Sequence, residues 1–443
     1  MTGNPDSALI TKFGCGSVTQ TSQFSDAMLS TVTIAPQTLA STLASSQTPA
    51  PHRNWNRLDG VDLLRGLAIL FVVLNHVHMR LLIAGIPYAA HISRRLMASL
   101  VWNGQFGVQI FFAVSGFLIT STALRRWGKL SNVSSRDFYL LRVARIAPML
   151  LALLVVMTVL HYAGVSPFVV SEKTGGIGRA LLAALTLRVN LLQAQHGWLP
   201  ANWGVLWSLS VEEMFYLFFP IVALVSGRRN FFPLILLCFV ALGPFARTIF
   251  AHGNEVWAEQ SYLGGMDAIA LGCLTALLVR RVHFSRTALR SLAVAGAMLI
   301  LLILVGLRLT YVPVIGRSGL DMTIIAVGTC MVIIAAAQTQ WKSPRFLAPL
   351  LRLGQCSYEV YLTHMFVVFG FFAIFVKYGN PLWSVPLLFV TTVVVAAAAG
   401  EIVARFFSEP VNRMLRERWG DGRRQMGSVT DSKISSAEAL STS

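Results

Sequence analysis

Residues 63–83 read LLRGLAILFVVLNHVHMRLLI, and this stretch decides the fold. About 20 helical residues at a rise of 1.5 Å cross the ~30 Å of bilayer hydrocarbon. The only ionisable side chains in the stretch are Arg65, His76, His78 and Arg80. Comparable apolar windows follow at 105–124, 146–163, 205–225, 231–250, 262–279, 289–307, 320–337, 356–376 and 386–407. One more, 177–192, is short and weak. Apolar residues make up 55% of the chain and charged residues 12%, whereas a soluble protein needs about a quarter charged. Lipid must therefore replace water over much of the surface. The reading is an all-α polytopic membrane protein with about ten transmembrane helices and a re-entrant or outer-surface helix at 177–192.

Charge sets the topology. Arg53 and Arg57 precede the first window, and Arg125, Arg126, Lys129, Arg136, Arg142 and Arg145 lie between the second and third. Later clusters are Arg228 with Arg229, Arg280 to Arg290, Lys342 with Arg345, and Arg413 to Arg418. Ten spans place every cluster on one face, as the positive-inside rule expects; eleven would send those from Arg228 onward to the other face. Both termini are thus expected in the cytoplasm. The net charge of +17 fits topology-setting loops and contacts with membrane lipids, and it does not point to nucleic acid.

Residues 1–56 are rich in Ser, Thr, Gln, Ala and Pro. They read as a disordered leader or as the product of an upstream start codon, and 419–443 as a disordered tail. The membrane domain is 57–418. The five cysteines show no CxxC spacing, and those in the apolar windows read as small buried hydrophobes rather than metal ligands.

Ionisable groups in hydrocarbon cost ~3 kcal/mol each, so each is a candidate site residue. Besides those of the first window they are Glu212, Glu213, Asp267, Glu359 and His364. Helical geometry puts Arg65 and His76 on one face, about 16 Å apart along the axis. Asp62 lies one turn below Arg65, near enough to pair with it. That ladder matches the length of a phosphopantetheine arm, with phosphates near Arg65 and the thioester near His76. An imidazole that merely bonds a neighbouring carbonyl fits His76 as well, and His78 reads as a packing residue. Arg142 and Arg145 share a face at the start of the third helix, suited either to phosphate or to lipid headgroups. In LWSLSVEEMFYLFFP, residues 206–220, Glu212 and Tyr216 share a face beside Trp207 and Ser208. Glu212 could orient an imidazole, hold a sugar hydroxyl, or be neutralised by an arginine. Ser115 and Gly116 permit close approach of a ligand or, more simply, of a neighbouring helix. His364 is a second-rank candidate, expected as a buried, hydrogen-bonded histidine.

The segments LDGVDLLRGLAILFVVLNH (58–76), GVQIFFAVSGFLIT (107–120), FYLLRVARIAP (138–148), LWSLSVEEMFYL (206–217), SYEVYLTH (357–364) and FFSEPVNRML (406–415) together resemble the acyltransferase-3 family of membrane O-acyltransferases. The resemblance runs from about Arg57 to Arg413. It implies helices around a pore-like site and transfer of an acyl group, most often acetyl, from cytoplasmic acyl-CoA. Acyl-CoA would be a co-substrate, with no bound cofactor and no metal. The acceptor would be a hydroxyl of an extracytoplasmic glycan or a small molecule, in the cell envelope of a bacterial inner membrane. On that basis His76 is the catalytic histidine, with Glu212 as its candidate companion, and Arg65, Arg142 and Arg145 hold the donor. Asp62, Ser115, Trp207, Ser208, Tyr216 and His364 are expected to line the site. Two departures stand out. The chain ends too soon after its last helix to hold the soluble esterase-like domain of some members, and Pro410 follows Glu409 where an arginine usually intervenes. His76 could act as general base near its ordinary pKa of about 6.5 or as an acyl-carrying nucleophile. The rival function is a transporter or exporter of a lipid-linked or small acidic solute. Neither the acceptor nor the oligomeric state is legible.

Overall fold

The computed structural model describes residues 57–90, 93–227, 231–306 and 318–419. The expected leader, the tail beyond Trp419, Arg228 with Arg229, and residues 307–317 lie outside the described residues. Among the described residues there is no strand. Ten helices account for the ten windows: α1 (Asp59–Ile83), α2 (Gly104–Trp127), α3 (Ser135–Tyr162), α4 (Ala201–Gly227), α5 (Phe232–Arg247), α6 (Tyr262–Arg281), α7 (Arg286–Leu301), α8 (Leu320–Thr339), α9 (Ser357–Lys377) and α10 (Val385–Val403). Nine of these segments are long and apolar enough to cross a bilayer, and α5 is a shorter apolar helix. The protein is an all-α polytopic membrane protein.

The ends of the helices confirm the alternation. Asp59 at the start of α1 takes Lys342, 3.7 Å away, from just beyond α8, and also accepts from the Ser343 amide at 2.9 Å. Arg280 at the end of α6 donates to the Leu124 carbonyl at the end of α2, 3.0 Å away. Arg57, Arg125, Arg145 and Arg416 meet around one chamber. The clusters carried by these helix ends thus gather at one end of the bundle, hereafter the basic end.

The window at 177–192 is broken into helices Gly176–Leu185 and Val189–His196, each too short to span. Leu187 between them has φ 59°, a left-handed conformation that interrupts helical hydrogen bonding. The third helix begins earlier than its apolar window, because the Ser134 side chain caps it by accepting from the Asp137 amide at 3.4 Å. Arg142 and Arg145 therefore sit two turns inside α3 rather than at its start. At the other end of the chain, helix continues past the expected stop at 407 as far as Trp419. A π turn, Ala404–Ser408, precedes Pro410. Proline lacks an N–H and its ring crowds the carbonyl four residues back, so a locally widened turn lets the helix pass through it.

Small residues draw the central pair together. A side chain at Gly116 on α2 would strike the Ile269 carbonyl on α6, and one at Gly272 on α6 would strike the Ala113 carbonyl on α2. Without a hydrophobic force between helices in lipid, this backbone proximity supplies the dispersion contact. Gly272→Leu is expected to separate α2 from α6 and lower stability by about 1–3 kcal/mol or more, read as a lower melting temperature in detergent. A variant that melts with the wild type would show that the helices can part freely. At the end opposite the basic one, a buried network of Arg247 with Asp267 and Thr323 ties α5, α6 and α8. Cys273, Cys330 and Cys356 are buried as expected, but Cys238 is exposed on α5.

Candidate active site

Two adjoining cavities run inward from the basic end. The first, about 320 Å³, lies among α2, α3, α4 and α9, with Arg65 reaching in from α1. Its wall is graded. Arg125, Arg126, Arg142, Arg145 and Arg416 line the basic end, and Val108, Phe111, Phe112, Leu209 and Leu362 line the inner end. The second, about 380 Å³, adds Arg57, Asp62, Glu359, Glu409 and Asn412. Both share Arg65, Leu118, Thr122, Arg125, Arg145 and Arg416.

As the helical spacing predicts, Asp62 and Arg65 form an ion pair at 3.8 Å. Arg142 lies 3.7 Å from Glu212, and its guanidinium covers the Tyr216 ring 3.5 Å from the centroid. The Tyr216 hydroxyl donates to Glu212 Oε1 at 2.5 Å, and Ser115 is bonded to both. Of the three partners open to Glu212, the contact present is with an arginine from a neighbouring helix. Glu212 meets Ser115, Tyr216 and Arg142 rather than an imidazole. A cation against a carboxylate and an aromatic face in a partly buried wall fixes the guanidinium plane. Ser115 and Gly116 divide the two roles open to them: Ser115 faces the cavity and Gly116 faces α6. Arg145 lines both cavities and forms no close ion pair among the described residues.

His76 and His364 do not line either cavity. They form a pair behind its inner end, with ring centroids 4.9 Å apart. Tyr361 stands between: it lines the cavity, its ring lies 5.8 Å from His364, and its hydroxyl is bonded to Ser208 at 2.6 Å and to the Val205 carbonyl at 2.8 Å. His76 Nδ1 is 2.8 Å from the Val72 carbonyl, and His364 Nδ1 is 2.7 Å from the Tyr361 carbonyl. A carbonyl only accepts, so each Nδ1 must carry the proton. His364 Nε2 is then an acceptor, 3.3 Å from His76 Nδ1, and shares the same proton. This leaves His76 Nε2 with a free lone pair on a partly exposed ring. Both simple expectations, a carbonyl-bonded His76 and a fully buried His364, describe real contacts, and the two histidines also meet. His78 is a packing residue, bonded to the Tyr88 hydroxyl at 2.5 Å and edge-on to Trp102.

Trp207, expected on the site wall, instead packs in the core edge-on to Phe112. Other wall residues went unread in the sequence. Tyr358 and Tyr361 lie one helical turn apart in SYEVYLTH, beside Glu359 and His364. Asn412 and Arg416 lie past the last apolar window, beyond Pro410, and Glu409 directly precedes that proline. Among the described residues, no three His, Cys, Asp or Glu side chains are placed to share a metal ion.

The structure is thus a bundle of membrane helices with an arginine-lined cavity and a pair of histidines behind its inner end. The family model described as an acyltransferase domain matches residues 58–401, and the chain belongs to this acyltransferase-3 family. It is 23% identical over 379 residues to the O-acetyltransferase OatA of Staphylococcus aureus, covering 80% of this chain and 57% of that protein. It is 24% identical over 377 residues to the peptidoglycan O-acetyltransferase OatA of Listeria monocytogenes, covering 80% of this chain and 55% of that protein. The chain thus spans a little over half the length of these curated relatives. No solved structure matches it.

Proposed function

We propose that this acyltransferase moves an acetyl group from cytoplasmic acyl-CoA to a hydroxyl of an extracytoplasmic glycan of the peptidoglycan type. The observation that carries the reading is the line from arginines at the basic end, along the cavity, to Tyr361, His364 and His76. The positive-inside rule puts the basic end in the cytoplasm, with both ends of the membrane domain there, in a bacterial inner membrane. The names of the relatives favour acetyl as the group and a cell-wall glycan as the acceptor.

The donor enters from the basic end. Arg65 and Arg145 take its phosphates through charge-assisted bonds, while Glu212 and Tyr216 hold Arg142 in the wall. Arg142 Nε and Glu213 Oε1 are buried without a partner, and they suit the amides of a pantetheine arm. Phe111 and Tyr361 pack edge-on with centroids 6.3 Å apart, so these rings must part for the thioester carbonyl to reach His76, which the acceptor approaches from the opposite face. His76 Nε2 takes the hydroxyl proton as the oxygen attacks the carbonyl carbon. The C–S bond then breaks, and the imidazolium returns the proton to the departing thiolate.

Arg145→Ala is expected to raise KM for acetyl-CoA about 10- to 100-fold, the loss of a hydrogen bond to a charged group. An unchanged KM would remove Arg145 from the donor site. The reading itself is tested by incubating purified protein with acetyl-CoA and peptidoglycan fragments and seeking base-labile acetyl esters by mass spectrometry. Acetyl-CoA left intact, with solute movement instead, would transfer the chain to the transporter reading.

A further inference from the structure

Of the four ionisable side chains in the window 63–83, Arg65 and His76 serve the transfer and His78 packs, which leaves Arg80. Four residues put Arg80 one turn beyond His76, about 40° round and ~6 Å further from the basic end. Both side chains lie toward α9: His76 meets His364, and the Arg80 guanidinium covers Phe369, 4.8 Å from the ring centroid. Phe168, from the segment after α3, braces Phe369 with ring centroids 5.9 Å apart. An arginine that only anchors a helix end stretches to headgroups and water. Arg80 is instead partly buried and held inward over an aromatic face. The positive-inside rule gives a cation at this end no topological role. Arg80 forms no ion pair among the described residues. A sheltered guanidinium in that state has lost hydration without a Coulombic return, so a ligand that brings negative charge would complete it.

We infer that Arg80 is an anion site for the acceptor: it binds a carboxylate or phosphate of the glycan and so presents a neighbouring hydroxyl to His76 Nε2. This deepens the proposed function and rests on it for the glycan acceptor and for His76 as the base. His76 is partly exposed yet lines neither cavity of the basic end, so those cavities do not account for its open edge. Beyond it on the same face of α1, the first polar side chain is Arg80. One helical turn, about 5.4 Å, is close to the width of a sugar ring. An anionic substituent held at Arg80 therefore leaves a hydroxyl across the ring within reach of His76. The guanidinium, its plane set by Phe369, can take either anion through two parallel bonds. The charge has two chemical sources: a carboxylate carried by the sugar itself, or a phosphate that joins a glycan to a lipid carrier. A neutral sugar reaches the same histidine but leaves the cation unpaired, and that difference is the basis of selection.

The test compares three acceptors: N-acetylglucosamine, N-acetylmuramic acid, which adds a carboxylate, and N-acetylglucosamine 1-phosphate. Binding to the detergent-purified full chain is measured without acetyl-CoA, and kcat/KM for acetyl transfer is measured with it. The wild type is expected to favour an anionic sugar over the neutral one about ten- to hundredfold, the worth of hydrogen bonds to a charged group. Preference for the muramic acid places the anion on the sugar, and preference for the phosphate places it on the carrier. Arg80→Gln should bring the anionic-to-neutral ratio near one, and Arg80→Glu should take it below one. Melting curves of the same samples show whether each variant is folded. A wild type that treats all three sugars alike, or a folded Arg80 variant that keeps the wild-type ratio, would overturn the inference. Anion-selective binding without acetyl transfer sinks the proposed function alone, and transfer that ignores the anion sinks the Arg80 site alone.

Discussion

Replacing His76 with alanine is expected to lower kcat for acetyl transfer by about 10²- to 10⁴-fold, the usual contribution of a positioned general base. Two hydrogen bonds, rather than the mere presence of a histidine, lead to this expectation. The Val72 carbonyl and His364 Nε2 both look toward Nδ1 of His76, at 2.8 and 3.3 Å, so the proton is held there and Nε2 remains basic. The neighbouring imidazoles among the described residues do not replace it, because His364 has both nitrogens engaged and His78 is bonded to Tyr88. The arginines lie at the far end of the cavity, so KM for acetyl-CoA should change little. A His76→Ala protein with kcat within a few-fold of wild type would remove the base from the mechanism. A large rise in KM at constant kcat would make His76 a binding residue instead.

Asp267→Ala is expected to cost about 3–5 kcal/mol of stability, because it strands Arg247 in the bundle without its counter-charge. Asp267 is fully buried and accepts from Arg247 Nη2 at 2.8 Å and from Thr323 at 2.6 Å. Arg247 also donates to the carbonyls of Gly319, at 2.9 Å, and Gly264. One guanidinium therefore joins the end of α5, the start of α6 and the segment before α8. Thermal unfolding in detergent reads the loss, and Asp267→Asn, which keeps an acceptor but no charge, should fall between. If Asp267→Ala melts with the wild type, the network does not hold these helices. Loss of stability with normal turnover per folded molecule would separate this pair from the active site.

Much of the fold is legible because bilayer thickness and charge asymmetry are one-dimensional constraints. The ten apolar windows and the alternation of basic loops need no knowledge of packing. Arg65 and Asp62 are legible for the same reason, since one helical turn relates them. Other features depend on contacts between distant segments. His76 and His364 lie on α1 and α9, and no periodicity shows that they meet. Arg247 lies near the end of the 231–250 window, and nothing in the sequence shows that Asp267 stands beside it. Glu212 is visible as a buried carboxylate, but its choice of Arg142 over an imidazole depends on how α3 packs against α4. The helix beyond 407 is hidden for a local reason: charged and polar residues end the apolar window there, and the π turn before Pro410 leaves no simple mark in the sequence.

The central claim is that the acetyl group crosses from a donor on the basic face to an acceptor on the other, by way of His76. It is tested most directly in proteoliposomes of known protein orientation, with radiolabelled acetyl-CoA on the basic side only and peptidoglycan fragments on the opposite side only. The account predicts labelled ester on the far side, dependent on His76, with no label when donor and acceptor exchange sides. Equal labelling in both arrangements, or ester formation that survives His76→Ala, would contradict it.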